Sequence, residues 1–365
     1  MTRRVYPCRN FVRYPVAIFI FILLLVRNVY GLSPNSNNND GDGSGERNGE
    51  ETTTRKAKTA VVTLLTTQNY VAGAEVLALS LKRVNATGDR ILLWVSPDDD
   101  ARSDLTPQDL QDLKVAGWDT QIQLTAKDGT LSTCKVTPQM EEQMRSDPVL
   151  DGMTRYWGTC SKFAIWTLTE YDAVVYMDAD SIALHNFDFV YDDILNGSAV
   201  FAAQGTPGCW EDPPDCGEFY SAFMVIKPMP NINEYLHGLS ENTANPEGDI
   251  FVLNEVIKAW KPLPRYTLVA QSETARPMLY PHDPDARAVD WEQVKVYDFA
   301  GPASNKPWLT YDLQKQTGDK YSHPHFQKVI PDSMAYHTYM QPQYFWNEHY
   351  DEVLKLKHQK KNDEL

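Results

Sequence analysis

Residues Ala173–Asp188 read AVVYMDADSIALHNFD. Five apolar or aromatic residues, Ala173–Met177, form a run short enough for a fully buried strand, and two aspartates, Asp178 and Asp180, stand where that strand would end. In open α/β sheets ligands bind at the carboxyl ends of strands. Paired carboxylates at that position supply hard oxygen donors, which suit Mg²⁺ or Mn²⁺ and leave coordination positions for phosphate. The same pair also fits a merely solvated acidic turn, so its surroundings decide the reading.

Upstream, buried runs alternate with helical periodicity. Ala60–Leu65 (AVVTLL), Arg90–Val95 (RILLWV) and Gln121–Leu124 read as strands. Tyr70–Val84, Leu105–Ala116 and Ser161–Tyr171 read as helices. This alternation predicts an α/β domain with a mainly parallel central sheet flanked by helices. The catalytic domain is expected over residues 58–350.

The chain has 365 residues, 42% of them hydrophobic, and a formal net charge of −15. That excess of acid argues against a nucleic-acid partner. Residues 1–31 carry a basic start and an eleven-residue apolar run, Val16–Val26, the pattern of a signal peptide, with an uncleaved signal anchor as the alternative. Residues 32–57 read as a disordered linker, and 351–365 as a tail closing on Asn362-Asp363-Glu364-Leu365, similar to endoplasmic-reticulum retrieval signals. Two sequons, Asn85-Ala86-Thr87 and Asn196-Gly197-Ser198, agree with the secretory route. The expected location is the endoplasmic-reticulum lumen, with a signal-anchored protein of that membrane or the Golgi as the alternative. Cys134, Cys160, Cys209 and Cys216 allow two disulfides, with Cys209–Cys216 the favoured pair across WEDPPD.

Three blocks in order carry a family resemblance. Lys162–Asp180 (KFAIWTLTEYDAVVYMDAD), Val61–Leu81 (VVTLLTTQNYVAGAEVLALSL) and Val296–Trp308 (VYDFAGPASNKPW) resemble the glycogenin-like family 8 glycosyltransferases, including a Lys sixteen residues before the first Asp. The resemblance implies a GT-A fold, a UDP-sugar donor, Mn²⁺ (Mg²⁺ the alternative), transfer with retention, and a glycan or glycoprotein acceptor. By position it assigns Asp178, Asp180 and Asp298 to the metal. It assigns Thr66, Thr67 and Tyr70 to the base, Lys162, Gly301 and Lys306 to the phosphates or sugar, and Asp249 to the anomeric carbon. Asp249 also reads as a helix N-cap before IFVLNEVI.

The chain departs from the family at three places. Asp298 stands where the family has a metal-binding His, with His337 a candidate from outside the block. Tyr220-Ser221-Ala222 replaces Asn-Ser-Gly, and Ile250 replaces a Gln. These changes touch the sugar and acceptor contacts, and they motivate an alternative in which the chain binds nucleotide sugars with weakened catalysis. A metal-dependent hydrolase would need a His beside the aspartates, and His185 lacks metal-ligand spacing.

Overall fold

Strand β1 (Thr59–Leu65) has six buried residues in a row, so it must be covered on both faces. In this computed structural model it lies inside a seven-stranded sheet of order β3-β2-β1-β4-β7-β6-β8. The structure describes residues 55–135, 137, 153–205, 217–242, 248–271, 273–274, 289–301, 306–320, 322–323 and 334–363. Strands β2 (Asp89–Val95) and β3 (Thr120–Leu124) extend the sheet in parallel on one side of β1. The chain then crosses back, and β4 (Ala173–Met177) pairs in parallel on the other side. That reversal makes a switch point between β1 and β4, where an open sheet forms its crevice. Beyond it, β7 (Phe219–Ile226) runs antiparallel to both β4 and β6 (Phe201–Gly205), and β8 (Lys261–Pro262) closes the edge parallel to β6. The α/β class with a largely parallel central sheet is as expected.

Alternate residues of the strands feed two cores. Val62, Leu64, Val174 and Tyr176 face a 3₁₀ helix (Met153–Thr167) together with α3 (Pro230–Asn242) and α4 (Asp249–Val256). Val61, Leu65, Val175 and Met177 face α1 (Val71–Arg83) and α2 (Pro107–Ala116). Helix α2 starts two residues later than its periodicity suggests, because Thr106 caps it. The Thr106 hydroxyl accepts from the Asp109 N–H, and the Asp109 carboxylate accepts from the Thr106 N–H, with Pro107 at the first helical position.

A second sheet, β5 (Ser181–Ala183), β10 (Val296–Asp298) and β9 (Leu268–Ala270), sits directly after the Asp-x-Asp turn. Its register pairs Asp298 with Ser181. Helices α5 (Pro307–Thr317) and α6 (Met334–Asp363) follow.

Two expected boundaries change. The helix read over Ser161–Tyr171 is 3₁₀ and ends at Thr167, whose hydroxyl donates to the Ala164 carbonyl at 2.7 Å. Such side-chain bonding competes with the helical ladder. Residues 351–363 are no tail, since they continue α6, and Lys357 reaches Glu75 on α1 and Asp112 on α2. Described contacts also begin earlier than residue 58, at Arg55, which pairs with Asp172 at 3.1 Å. Residues 1–54, Cys209, Cys216, Glu364 and Leu365 lie outside the described residues. Among the described residues no helix is long and apolar enough to cross a membrane.

Cys134 and Cys160 form a disulfide that closes a 26-residue separation, joining the segment after β3 to the 3₁₀ helix. By loop-closure entropy, Cys134→Ser/Cys160→Ser is expected to lose roughly 3 kcal/mol of stability in chemical denaturation, and the reduced native protein should match it.

Glu75 is buried, and burial lifts its carboxyl to about 7, with Lys357 opposing the rise. An acid whose folded pKa is raised contributes full stability below its unfolded value of about 4.5, and that contribution is lost as pH climbs through 7. Between pH 5 and 8 the melting temperature of the native protein is therefore expected to fall more than that of Glu75→Gln.

Candidate active site

The carboxyl ends of β1 and β4 open into a cavity of about 390 Å³, within the range of small-ligand pockets. Its walls bring together Thr66, Tyr70, Lys162, Asp178, Asp180, Asp249, Asp298, Gly301 and Lys306. Nine of the ten residues singled out from the sequence thus meet in one place. The exception is Thr67, which does not line the cavity and instead precedes the 3₁₀ turn Gln68–Tyr70.

Each side chain is placed by a local cause. Successive strand residues alternate faces, so Tyr176 and Asp178 point the same way. The Tyr176 hydroxyl donates to Asp178 Oδ1 at 2.8 Å. The turn after β4 is held by its backbone: the Asp178 N–H donates to the Ala222 carbonyl at 2.9 Å and the Ser181 N–H to the Asp178 carbonyl at 3.0 Å. Gly73 on α1 packs against this turn so closely that a Cβ there would stand 2.5 Å from the Ala179 carbonyl oxygen. Gly158 does the same on the other side, where a Cβ would stand 2.7 Å from Thr66 Cγ2. Helix α1 and the 3₁₀ helix therefore clamp the switch point from its two faces.

Asp298 enters through the Ser181 pairing, and the Ser181 hydroxyl donates to its Oδ1 at 3.2 Å. The Phe299 N–H donates to the Asp180 carbonyl at 3.0 Å, which ties the small sheet to the turn. Lys306 is the N-cap of α5, with Pro307 at the first helical position, and is 3% exposed. Its ammonium donates to Asp180 Oδ2 and, at 2.8 Å, to the Phe299 carbonyl. Gly301 holds φ 130°, a conformation that favours glycine.

Asp249 is the first residue of α4, and the cap is Gly248 at φ 71°, not Asp249 as the sequence suggested. The Asp249 carboxylate is thereby released to face the cavity. Lys162 lies between it and the Asp-x-Asp turn, with Nζ 2.9 Å from Asp178 Oδ1 and 2.9 Å from Asp249 Oδ2. Lys162 is thus the charged partner of both carboxylates.

The contacts form a row. The Tyr70 ring faces the Lys306 ammonium at 5.6 Å, Lys306 meets Asp180, Asp178 meets Lys162, and Lys162 meets Asp249. One end is aromatic and the other acidic.

The electrostatics follow from burial. Burial pushes the Asp178 carboxyl up, Lys162 pulls it back, and repulsion from Asp180 and Asp249 adds to the rise. Asp298 is held well above the usual carboxylate range by burial, then by Asp180 and Asp178, against an opposing pull from Lys306. Burial disfavours the Lys162 ammonium, but Asp178 and Asp249 more than reverse this and its pKa rises. Among the described residues, the cavity lining holds four acids, Asp178, Asp180, Asp249 and Asp298, and two lysines, Lys162 and Lys306.

Among the described residues, no three acid, His or Cys side chains are gathered tightly enough to enclose a metal. The donor set nonetheless fits a hard divalent cation, because Asp178, Asp180 and Asp298 offer oxygen ligands. His337 is exposed on α6 and His185 bonds the Val294 carbonyl, and neither lines the cavity, whereas Asp298 does. Sequence reasoning missed Thr159 and Tyr176. The parity of Tyr176 with Asp178 was a readable signal for the second.

The crevice lies at a sheet switch point of an α/β fold and is lined by an Asp-x-Asp turn and two buried lysines. No protein-family model matches the chain. Glycogenin-1 of Oryctolagus cuniculus is 30% identical over 285 residues, 74% of this chain and 73% of that protein. UDP-glucuronate:xylan alpha-glucuronosyltransferase 2 of Arabidopsis thaliana is 30% identical over 218 residues, 59% of this chain, which spans 30% of that relative's length. Among solved structures, a glycosyltransferase of Streptococcus pneumoniae TIGR4, GlyE, matches 84% of this chain and 64% of its own at 16% identity and a TM-score of 0.48. On the glycogenin match, the chain belongs to the glycogenin-like family 8 glycosyltransferases.

Removing Lys162 leaves two buried carboxylates facing each other. Lys162→Met is expected to lose about 3–5 kcal/mol in denaturant titration. Adding Asp249→Asn should restore part of that loss, so the pair of changes costs less than the sum of the single ones.

Proposed function

We propose that this protein transfers a sugar from a UDP-sugar to a glycan or glycoprotein acceptor, with retention at the anomeric carbon. The observation that carries the reading is the crevice lining: among the described residues, four acids and two lysines are ordered from an aromatic end to an acidic end. That the Arabidopsis relative is a UDP-glucuronate:xylan alpha-glucuronosyltransferase supports the nucleotide.

The flat Tyr70 ring offers a stacking face for uracil, with Thr66 beside it. Lys306 would exchange its Asp180 partner for the donor's β-phosphate, a point charge suited to that group. Asp178, Asp180 and Asp298 would hold Mn²⁺, or Mg²⁺ as the alternative, and the chemistry so supplied is neutralisation of the departing diphosphate. Lys162 would hold Asp178 and Asp249 in place on either side of the sugar. Asp249 would either stabilise positive charge at the anomeric carbon while the acceptor oxygen replaces UDP there, or displace UDP itself and then be displaced by the acceptor oxygen; in both routes the acceptor's proton would pass to the departing diphosphate. Most of the acceleration would come from positioning and fixed charges.

The endoplasmic-reticulum lumen is the proposed compartment. The Cys134–Cys160 disulfide and the exposed sequon asparagines Asn85 and Asn196 support an oxidising, secretory setting. A second reading, a nucleotide-sugar-binding relative with weakened catalysis, is favoured by the contact of Lys306 with Asp180 and by Ile250 on the cavity wall.

UDP release from a panel of UDP-sugars, with and without Mn²⁺, tests both. Native protein with Mn²⁺ should turn over, and Asp180→Asn should be slower by at least about 100-fold, the scale set by losing one electrostatic stabiliser. Equal turnover by the two proteins would remove Asp180 from the reaction. Binding of UDP without turnover would favour the second reading.

A further inference from the structure

We infer that Tyr176 is a positioning residue for the metal site: its hydroxyl pins one oxygen of the Asp178 carboxylate and so fixes the orientation in which that acid meets a divalent cation. The inference rests on the reading that Asp178 helps to hold the cation, and it gives Tyr176 a role through that acid.

All five residues of β4 are buried, and Tyr176 carries the one hydroxyl among them. Its ring is 1% exposed and belongs to the same core as Leu64 and Phe163, yet the residue also lines the cavity. A tyrosine buried in this way needs a partner for its O–H. Parity along the strand supplies Asp178, and the hydroxyl donates to Oδ1 at 2.8 Å. The Lys162 ammonium meets the same oxygen at 2.9 Å and faces the Tyr176 ring at 5.1 Å. Two donors therefore converge on one oxygen of the carboxylate.

The two donors differ in kind. Lys162 is a point charge on a flexible stem, and it is shared with Asp249 Oδ2, also 2.9 Å away. Tyr176 is a rigid ring held by the strand and by the core, so its hydrogen bond is directional. Asp178 has more room to turn than its neighbours: its side chain is 28% exposed, against 10% for Asp180 and 5% for Asp249. The terminal torsion of an aspartate is broad and roughly two-fold. Without the hydroxyl, the carboxylate can rotate about that bond while keeping its ion pair with Lys162, and a cation then meets it in several orientations. Groups that orient metal ligands from behind typically set affinity by about 10–100-fold. Tyr191 provides an internal comparison. It is 3% exposed, and its hydroxyl donates to the Ala60 carbonyl at 3.1 Å, at the start of β1 and away from the strand ends that form the crevice.

The test is Mn²⁺ titration of the full chain, followed by electron paramagnetic resonance of the free ion, for native protein, Tyr176→Phe and Tyr191→Phe, each with and without UDP. Phenylalanine keeps the ring and the packed volume, so each variant loses a hydroxyl and no more. Tyr176→Phe is expected to bind Mn²⁺ about 10-fold or more weakly than native protein, with UDP and without it. Tyr176→Met, which also lacks a hydroxyl, is expected to reproduce that loss. Tyr191→Phe should melt at a lower temperature and keep the native Mn²⁺ affinity. Equal Mn²⁺ affinity in native protein and the Tyr176 variants would overturn the inference and leave Asp178 as a ligand. Equal losses in Tyr176→Phe and Tyr191→Phe would overturn it too, because the effect would then follow from loosening the core. No binding of Mn²⁺ by native protein, even with UDP present, would overturn the metal assignment and this inference together.

Discussion

The Lys162 ammonium is the point on which the site depends. It is 3% exposed and stands 2.9 Å from carboxylates that come from separate parts of the chain. Neither Asp178 nor Asp249 could lie so close to the other in a dry crevice without it, because desolvation and mutual repulsion both oppose a second negative charge. Lys306 does the same for Asp180 on the opposite side. The two lysines make it feasible to bury the four described acids together.

Acids and lysines are positioned by different kinds of structure. Asp178, Asp180 and Asp298 are fixed by strand ends and by register: a shift of one residue in the β5–β10 pairing would turn Asp298 out of the crevice. The lysines arrive from outside the sheets, Lys162 on a 3₁₀ helix and Lys306 at a helix N-cap. Their long stems can change partner while the carboxylates stay in place, which is the division a ligand-exchanging site requires.

Much of this was legible in the sequence, for physical reasons. β1 and β4 are buried on both faces and so read as continuous apolar runs, and the switch point follows from their order. Lys162, Asp178 and Asp180 were found because motif spacing fixes them relative to those strands. The misses have equally concrete causes. Thr167 donates its hydroxyl to the Ala164 carbonyl where the 3₁₀ helix stops, so the helical period did not run on to Tyr171. Gly248 took the cap that Asp249 was expected to fill, because a positive φ there costs glycine little. Residues 351–363 looked like a polar tail, since the groups that hold them, Glu75 and Asp112, lie more than two hundred residues earlier. The alternation of a strand would have disclosed Tyr176 beside Asp178.

The anchoring of α6 bears on how this protein can be handled. Lys357 supplies the positive partner of a glutamate enclosed in α1, the helix whose first residues follow Tyr70 at the mouth of the crevice. Trimming the chain upstream of Lys357 would strand that glutamate inside the core and loosen the helix that follows Tyr70. Shortened versions intended for crystallisation should therefore retain α6 through Lys357, and a label on the far side of that residue disturbs neither contact.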